Sequence, residues 1–355
     1  MPILGTIIVP HPPIIVPAVG RGREAEVQAT IGAYRAAAKQ VATWAPEVLI
    51  VTSPHTVMYA DYFHISPGEG ASGNMSAFGA PQAKLNIRYD AELRQELVRQ
   101  AEAAGIQAGT LGEKDPALDH GTFLPLYFLR EAGVDCPILR IGLSGFSPLE
   151  HYRLGQCITR AVDALGRRAV FVASGDLSHK LKDDGPYGYA PEGPVFDRRV
   201  TQAMESGDFL QFLTMDVSLC DQAAECGLRS FQIMAGALDG LAVKPELLSY
   251  EGTFGVGYGV AVGAVVFQFV GQVAASHEHR PAAQGLHRPG DALAQPVVLQ
   301  RRESGQADAQ DRTVHPRILK EVQREEGTVI QGGVLFSQGS GLDAGVFRLT
   351  DDLLL

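Results

Sequence analysis

Short apolar runs and longer segments of helical periodicity alternate along residues 1–271 of the chain. Buried strands are predicted for the β-branched runs TIIVP, EVLIVTS, CPILRIGLS and RAVFVASGD. Amphipathic helices are predicted for EAEVQATIGAYRAAAKQVATW, AELRQELVRQAEAAG and EHYRLGQCITRAVDALG, which are rich in good helix formers. This alternation predicts an α/β fold, layered, with a central β-sheet flanked by helices.

The last apolar stretch of this region, LLSYEGTFGVGYGVAVGAVVFQF, predicts one or two long strands. They would make the central sheet mixed rather than purely parallel. The part from Phe254 to Gly271 approaches the length of a membrane span, but its glycines and β-branched residues favour a buried strand. We therefore expect no membrane segment.

A change in composition after Gln272 divides the chain into residues 1–271 and a tail, 272–355. The tail is rich in Ala, Gln, Arg, Pro and His. Such a segment buries too little apolar surface to offset its ordering entropy, so a linker or a disordered extension is expected.

The net charge limits which kinds of partner the protein is expected to bind, and the cysteine content indicates its cellular compartment. The 355 residues carry a formal net charge of −10, which argues against binding to nucleic acid or to anionic membranes. No signal peptide is predicted at the N-terminus. The four cysteines form no CxxC pair, so reduced thiols in a cytoplasmic protein are expected.

Three histidines each follow a predicted strand: His11 in TIIVPH, His55 in VLIVTSPH and His179 in VFVASGDLSH. Loops that leave the carboxyl ends of strands form the ligand crevice of layered α/β folds. Prolines on both sides of His11 restrict its backbone, which suits a residue that must aim its side chain. Taken singly, each could be a hydrogen-bonded structural histidine; taken together, they predict a site.

Two further residues are candidates for that site. His120 lies in LDHGTFLPL, at the predicted entrance of a helix, where it could also be a capping residue. Glu251, in SYEGTFGVGYG, precedes an apolar strand, where it is either exposed or compensated by a cation. Two histidines and one carboxylate are typical of non-haem Fe(II) sites, although Zn²⁺ with the same ligands would support hydrolysis.

The motifs PHPP, TSPH, LDHGTFLPL, SGDLSH and SYEGTFGVGYG, in this order, resemble the class III extradiol ring-cleavage dioxygenases, the superfamily of the LigB-type catalytic subunit. Within it they are most similar to the Memo-like proteins of the AmmeMemoRadiSam group. The resemblance covers residues 1–271. It implies a LigB/Memo-like fold and an enzyme that opens the ring of a catecholic small molecule with O2.

The resemblance also implies a role for each candidate. His11, His55 and Glu251 match the Fe(II) ligands, although some Memo-like relatives carry a cysteine at the carboxylate position. His179 matches the acid/base histidine, and His120 matches a second histidine that faces the substrate. Asp176 and Ser178 are candidates to orient His179, by proximity in sequence.

Two alternatives stay open at this point. A Memo-like protein could bind metal and act with a radical-SAM enzyme without cleaving rings, and a zinc hydrolase could use the same constellation. Relatives are commonly oligomeric, which implies a homo-oligomer. They often carry a second fused domain, so the tail is either a native extension or a truncated or out-of-frame remnant of such a domain.

Overall fold

The computed structural model of the chain describes residues 3–112, 114, 117–266 and 346–347. The tail predicted from residue 272 onward, with its expected linker or disorder, lies outside the described residues apart from 346–347. The described residues thus include nearly all of the region with the alternating strand and helix pattern.

The described secondary structure follows that alternation. The strands are β1 (Ile3–Val9), β2 (Val48–Ser53), β3 (Met58–Tyr59), β4 (Phe63–His64), β5 (Gly70–Met75), β6 (Ala80–Arg88), β7 (Ala108–Gly109), β8 (Ile138–Gly142), β9 (Ala169–Ser174), β10 (Val243–Glu251), β11 (Tyr258–Val265) and β12 (Val346–Phe347). The α-helices are α1 (Pro17–Gly20), α2 (Gln28–Trp44), α3 (Ala91–Ala103), α4 (His120–Glu131), α5 (Pro148–Leu165), α6 (Glu192–Ser206), α7 (Val217–Ala223) and α8 (Leu228–Ala237).

A six-stranded sheet with the order β10-β11-β1-β9-β2-β8 forms the centre of the fold. Its strands β1, β9, β2 and β8 run parallel to one another. Strand β11 pairs antiparallel with β1, and β10 pairs antiparallel with β11. The prediction of a layered α/β fold with a mixed central sheet is confirmed. Smaller pairings join β5 to β6, β4 to β7 and β12 to β3.

Both faces of the sheet are covered, and the side chains of β9 show how. Ala169, Phe171 and Ala173 pack into a core with α3, α5 and α8. The intervening Val170 and Val172 pack into a second core with α2 and α4. A parallel strand buried on both faces needs apolar residues at successive positions, which is why β9 reads as a continuous apolar run.

Helix ends follow the signals in the sequence. Asp90 caps α3 by accepting a hydrogen bond from the Leu93 N–H at 2.9 Å. Ser147 and Glu150 form a capping box at the start of α5, and Gly166 ends that helix with φ +62°. None of the helices in the described part of the chain is long and apolar enough to cross a bilayer.

Candidate functional site

The candidate site lies at the edge of the sheet where the parallel strands end. His11 follows β1 by two residues, His55 follows β2 by two, and the segment that carries His179 follows β9. His120 begins α4 at the same edge, capped by Asp119. The ring centroids of His55 and His120 are 4.0 Å apart, and those of His11 and His120 are 5.3 Å apart. The structure thus brings these sequence-predicted histidines together.

The hydrogen bonds around His11 fix its tautomer. The Ser174 hydroxyl donates to the Gly121 carbonyl at 2.6 Å, so its oxygen is free to accept from His11 Nδ1, 3.0 Å away. His11 therefore carries its proton on Nδ1 and presents a bare Nε2. A histidine whose other nitrogen is held in this way is oriented for metal binding.

A cysteine completes the group around Nε2 of His11. His55 Nε2 lies 3.0 Å from that atom, and Cys226 Sγ lies 3.6 Å from it. The ligand atoms of these three residues all lie within 4.8 Å of one another. We call His11, His55 and Cys226 the ligand cluster. Sequence reasoning assigned no role to Cys226, because it lies 215 residues from His11 and no CxxC or CxH spacing marks it.

Two glycines allow Cys226 to reach the cluster. A Cβ at Gly175 would overlap the Cα of Gly227, so the loops that carry Asp176 and Cys226 touch backbone to backbone. The Asp176 N–H points to Cys226 Sγ at 3.3 Å. This close approach requires glycine at positions 175 and 227. These two glycines are the feature of the sequence that hints at it.

Asp176 and His179 form the neighbouring part of the site. Asp176 accepts the His11 backbone N–H through Oδ1 at 2.8 Å. Its Oδ2 lies 3.9 Å from Nε2 of both His11 and His179, and Asp176, His179 and Cys226 have ligand atoms within 4.8 Å of one another. Asp176, a neighbour of His179 in sequence, is thus also beside it in space.

Glu251 is placed elsewhere, and its expected position beside the two histidines is corrected. Its Oε2 accepts the N–H and the hydroxyl of Thr30 at 2.7 Å and 2.5 Å, in the first turn of α2. The residue before that helix, Val27, gives no side-chain cap, so Glu251 satisfies a helix N-terminus instead. Strand β10 does end at the same edge as β1, but two strands away, about 10 Å at the usual spacing.

A buried ion pair between Asp119 and Arg140 lies beside His55 and His120. Asp119 Oδ2 accepts from the guanidinium of Arg140 at 2.8 Å. Its Oδ1 accepts the Ser53 hydroxyl at 2.7 Å, and Ser53 Oγ in turn accepts the His55 N–H at 3.2 Å. Burial alone would raise the pKa of Asp119, but Arg140 and the hydroxyl donors hold that pKa well below its usual value. Asp119 is therefore expected to stay ionised beside the two histidines.

The groups of the site itself favour their neutral forms. Burial lowers the pKa of His11 and His179 and lowers that of His120 to about 3. Burial raises the pKa of the Cys226 thiol well above its usual value, and the nearby Asp176 carboxylate adds to the effect. Neutral imidazoles are the ligand form of histidine, whereas Cys226 has to lose a proton when it binds a cation.

A second buried carboxylate supports the segment that carries His179. Asp197, only 1% exposed, accepts the Ser178 N–H at 2.7 Å and the Tyr250 hydroxyl at 2.6 Å. Burial raises its pKa to about 6 from 3.8, and those two donors offset part of the effect. The ionised Asp197 therefore costs the folded state free energy above pH 6.

Asp197→Asn is expected to remove a pH-dependent loss of stability. The folded protein holds the proton more tightly than the unfolded chain, so this loss develops between about pH 4 and 6 and amounts to at most about 3 kcal/mol. The thermal midpoint of the variant, relative to the parent, should rise more at pH 7.5 than at pH 4.5. Asp184→Asn, at an exposed site, controls for net charge. An equal difference at both pH values would contradict the prediction.

The residues that form this site lie in a region that matches a known protein family. The family described as the catalytic LigB subunit of aromatic ring-opening dioxygenase matches residues 5–261. The chain belongs to this LigB family. The match includes every residue of the ligand cluster and at least part of each strand of the central sheet, so the cluster lies within the LigB domain rather than in the tail.

Individual relatives of the LigB domain differ in similarity and coverage. A Clostridium acetobutylicum protein, whose name states no activity, is 38% identical over 268 residues; the match covers 73% of this chain and 57% of that protein. The Escherichia coli 3,4-dihydroxyphenylacetate 2,3-dioxygenase is 23% identical over 202 residues, covering 53% and 72%. The 2-aminophenol 1,6-dioxygenase beta subunit of Pseudomonas sp is 24% identical over 288 residues, covering 73% and 92%.

Proposed function

We propose that this chain is an Fe(II)-dependent dioxygenase that opens the ring of a catechol-like small molecule with O2. The observation that carries the proposal is the convergence of His11, His55 and Cys226, with the acid/base candidate His179 beside them. The names of the two dioxygenase relatives, which state aromatic substrates for those proteins, support it. The proposal includes the ligand roles of the cluster and the catalytic roles of His179 and His120.

The donor set fits a transition metal. Two imidazole nitrogens and one thiol sulfur converge in a partly buried site, and His11 already presents its bare Nε2. Imidazole suits iron, zinc and copper, and a thiolate shifts the preference toward softer metals than a carboxylate would. Bound Fe(II) would supply a Lewis acid that lowers the pKa of a catechol hydroxyl and would activate O2.

The remaining residues handle the substrate and its proton. His179 is neutral near pH 7 because burial lowers its pKa, so its free nitrogen can accept the proton of a substrate hydroxyl. Asp176, 3.9 Å from His179 Nε2, stabilises the imidazolium that then forms. His120, which contacts both His11 and His55, presents its ring toward a substrate held at the cluster.

One observation favours a second function. Cys226 occupies the position beside the two histidines at which a dioxygenase of this superfamily is expected to carry a carboxylate. A thiolate there suits a metal-binding protein without ring-cleavage activity, such as a Memo-like partner of a radical-SAM enzyme. This alternative retains the ligand cluster but makes His179 dispensable.

The setting proposed for either function is the cytoplasm, with the protein as a homo-oligomer. The four cysteines of the chain are free thiols, as expected for a reducing compartment. A reducing environment would keep Cys226 available as a ligand.

Metal analysis of anaerobically purified protein, followed by oxygen-electrode assays with a panel of catechols, tests the proposal. We expect about one iron per chain and O2 uptake that begins when the catechol is added. Bound metal without uptake across the panel would favour the metal-binding partner. Bound zinc with esterase or amidase activity would instead indicate a hydrolase.

A further inference from the structure

Each of the two histidines that flank the ligand cluster contacts an aromatic ring. The Phe78 ring meets His120 edge to face, with centroids 5.4 Å apart and planes at 71°. The Tyr187 ring stacks on His179, with centroids 4.9 Å apart and planes at 20°. Neither residue has a role in the metal binding or the proton transfer proposed above, so the proposed chemistry does not account for these two rings.

The two rings contact different histidines beside the ligand cluster. His120 contacts the rings of His11 and His55, whereas His179 groups with Asp176 and Cys226. Phe78 and Tyr187 are both only partly buried while they pack on the core that covers this face of the sheet. The core therefore does not fully enclose either residue.

Hydrogen bonds hold the backbone of the two segments that carry these rings. Phe78 ends a 3-10 turn that is closed by the Gly79 N–H to Ser76 carbonyl bond, and the Arg21 guanidinium donates to the Gly79 carbonyl at 2.9 Å. The Lys180 ammonium donates to the Tyr187 carbonyl at 2.5 Å. A ring whose backbone is held and which already packs on a histidine has less entropy to lose when a ligand packs against it.

We propose that Phe78 and Tyr187 are specificity-determining residues that contact the ring of a flat, single-ring ligand bound at the ligand cluster. The inference rests on the proposed function, in which that ligand is the catecholic substrate. Aromatic pairs gain affinity beyond the area they bury when they stack offset or meet edge to face. Two aromatic rings beside the ligand cluster would favour a planar ring over an aliphatic chelator of the same metal.

The test compares two bidentate oxygen ligands, 4-nitrocatechol with a ring and acetohydroxamate without one. Their dissociation constants are measured by calorimetry on the metal-loaded full-length protein without O2. Phe78→Leu and Tyr187→Leu should each raise the dissociation constant of 4-nitrocatechol about 3- to 10-fold. The dissociation constant of acetohydroxamate should stay unchanged. Tyr187→Phe, which keeps the ring, should bind both probes like the parent.

Tyr189→Leu is the matched control, since Tyr189 lies on the same loop as Tyr187 but is 51% exposed, and it should change neither constant. If the leucine variants lost affinity equally for both probes, the rings would only hold the histidines in place, and the proposal would be overturned. No loss of 4-nitrocatechol would overturn it too. Selective loss in a protein that never consumes O2 would keep the specificity assignment and reject ring cleavage.

Discussion

Cys226→Ser is expected to lower the affinity of the protein for its metal at least about 100-fold, whereas Glu251→Gln leaves that affinity unchanged. Loss of groups that merely orient a metal ligand already costs about 10- to 100-fold, so loss of a ligand should cost no less. Serine preserves the size of Cys226 but has no accessible anionic form. Glu251 Oε2 is engaged by Thr30, and a glutamine oxygen can accept the same bonds.

Titration with Co²⁺ measures this contrast, because a cobalt–thiolate bond gives a charge-transfer absorption that histidine and carboxylate ligands do not. The band should appear in the parent and in Glu251→Gln and be missing from Cys226→Ser. Thermal unfolding of the metal-free variants checks that each one folds. Tight binding by Cys226→Ser together with weak binding by Glu251→Gln would restore the carboxylate as the third ligand.

His179→Gln is expected to reduce the turnover of a catechol about 100- to 10,000-fold, the range for removal of a positioned proton carrier, while metal content stays the same. The His179 ring contributes a nitrogen that lies beside Asp176, and Tyr187 stacks on the ring. Glutamine approximates the polarity and reach of histidine but cannot take up a proton near pH 7.

Oxygen uptake and metal content, measured on the same preparations, separate this effect from loss of the metal. His120→Gln is the informative comparison, because burial lowers the pKa of His120 to about 3 and so disfavours it as a proton acceptor. Its turnover should fall less than that of His179→Gln. If His179→Gln retained turnover within about tenfold of the parent, the acid/base assignment of His179 would be wrong. A larger loss of turnover in His120→Gln would then assign the acid/base role to His120.

Local sequence patterns predicted the elements that build the site. The apolar runs before His11, His55 and His179 predicted strands, and β1, β2 and β9 are parallel neighbours that end at one edge. The Asp-His-Gly turn predicted a helix entrance, and α4 begins at His120 with Asp119 as its cap. These predictions succeed because strand burial and helix capping depend on residues close together in the chain.

The chain by itself thus determined the α/β layers, the strand ends and the histidines that gather there. Only the tertiary structure decided what stands beside His11: Cys226, brought in by the contact of Gly175 with Gly227, and not Glu251, which caps α2. The physical reason is that residues form one site only when their side chains lie within a few ångströms of one another. For residues more than 200 positions apart, such distances follow from strand order and loop packing. Periodicity and spacing do not contain that information.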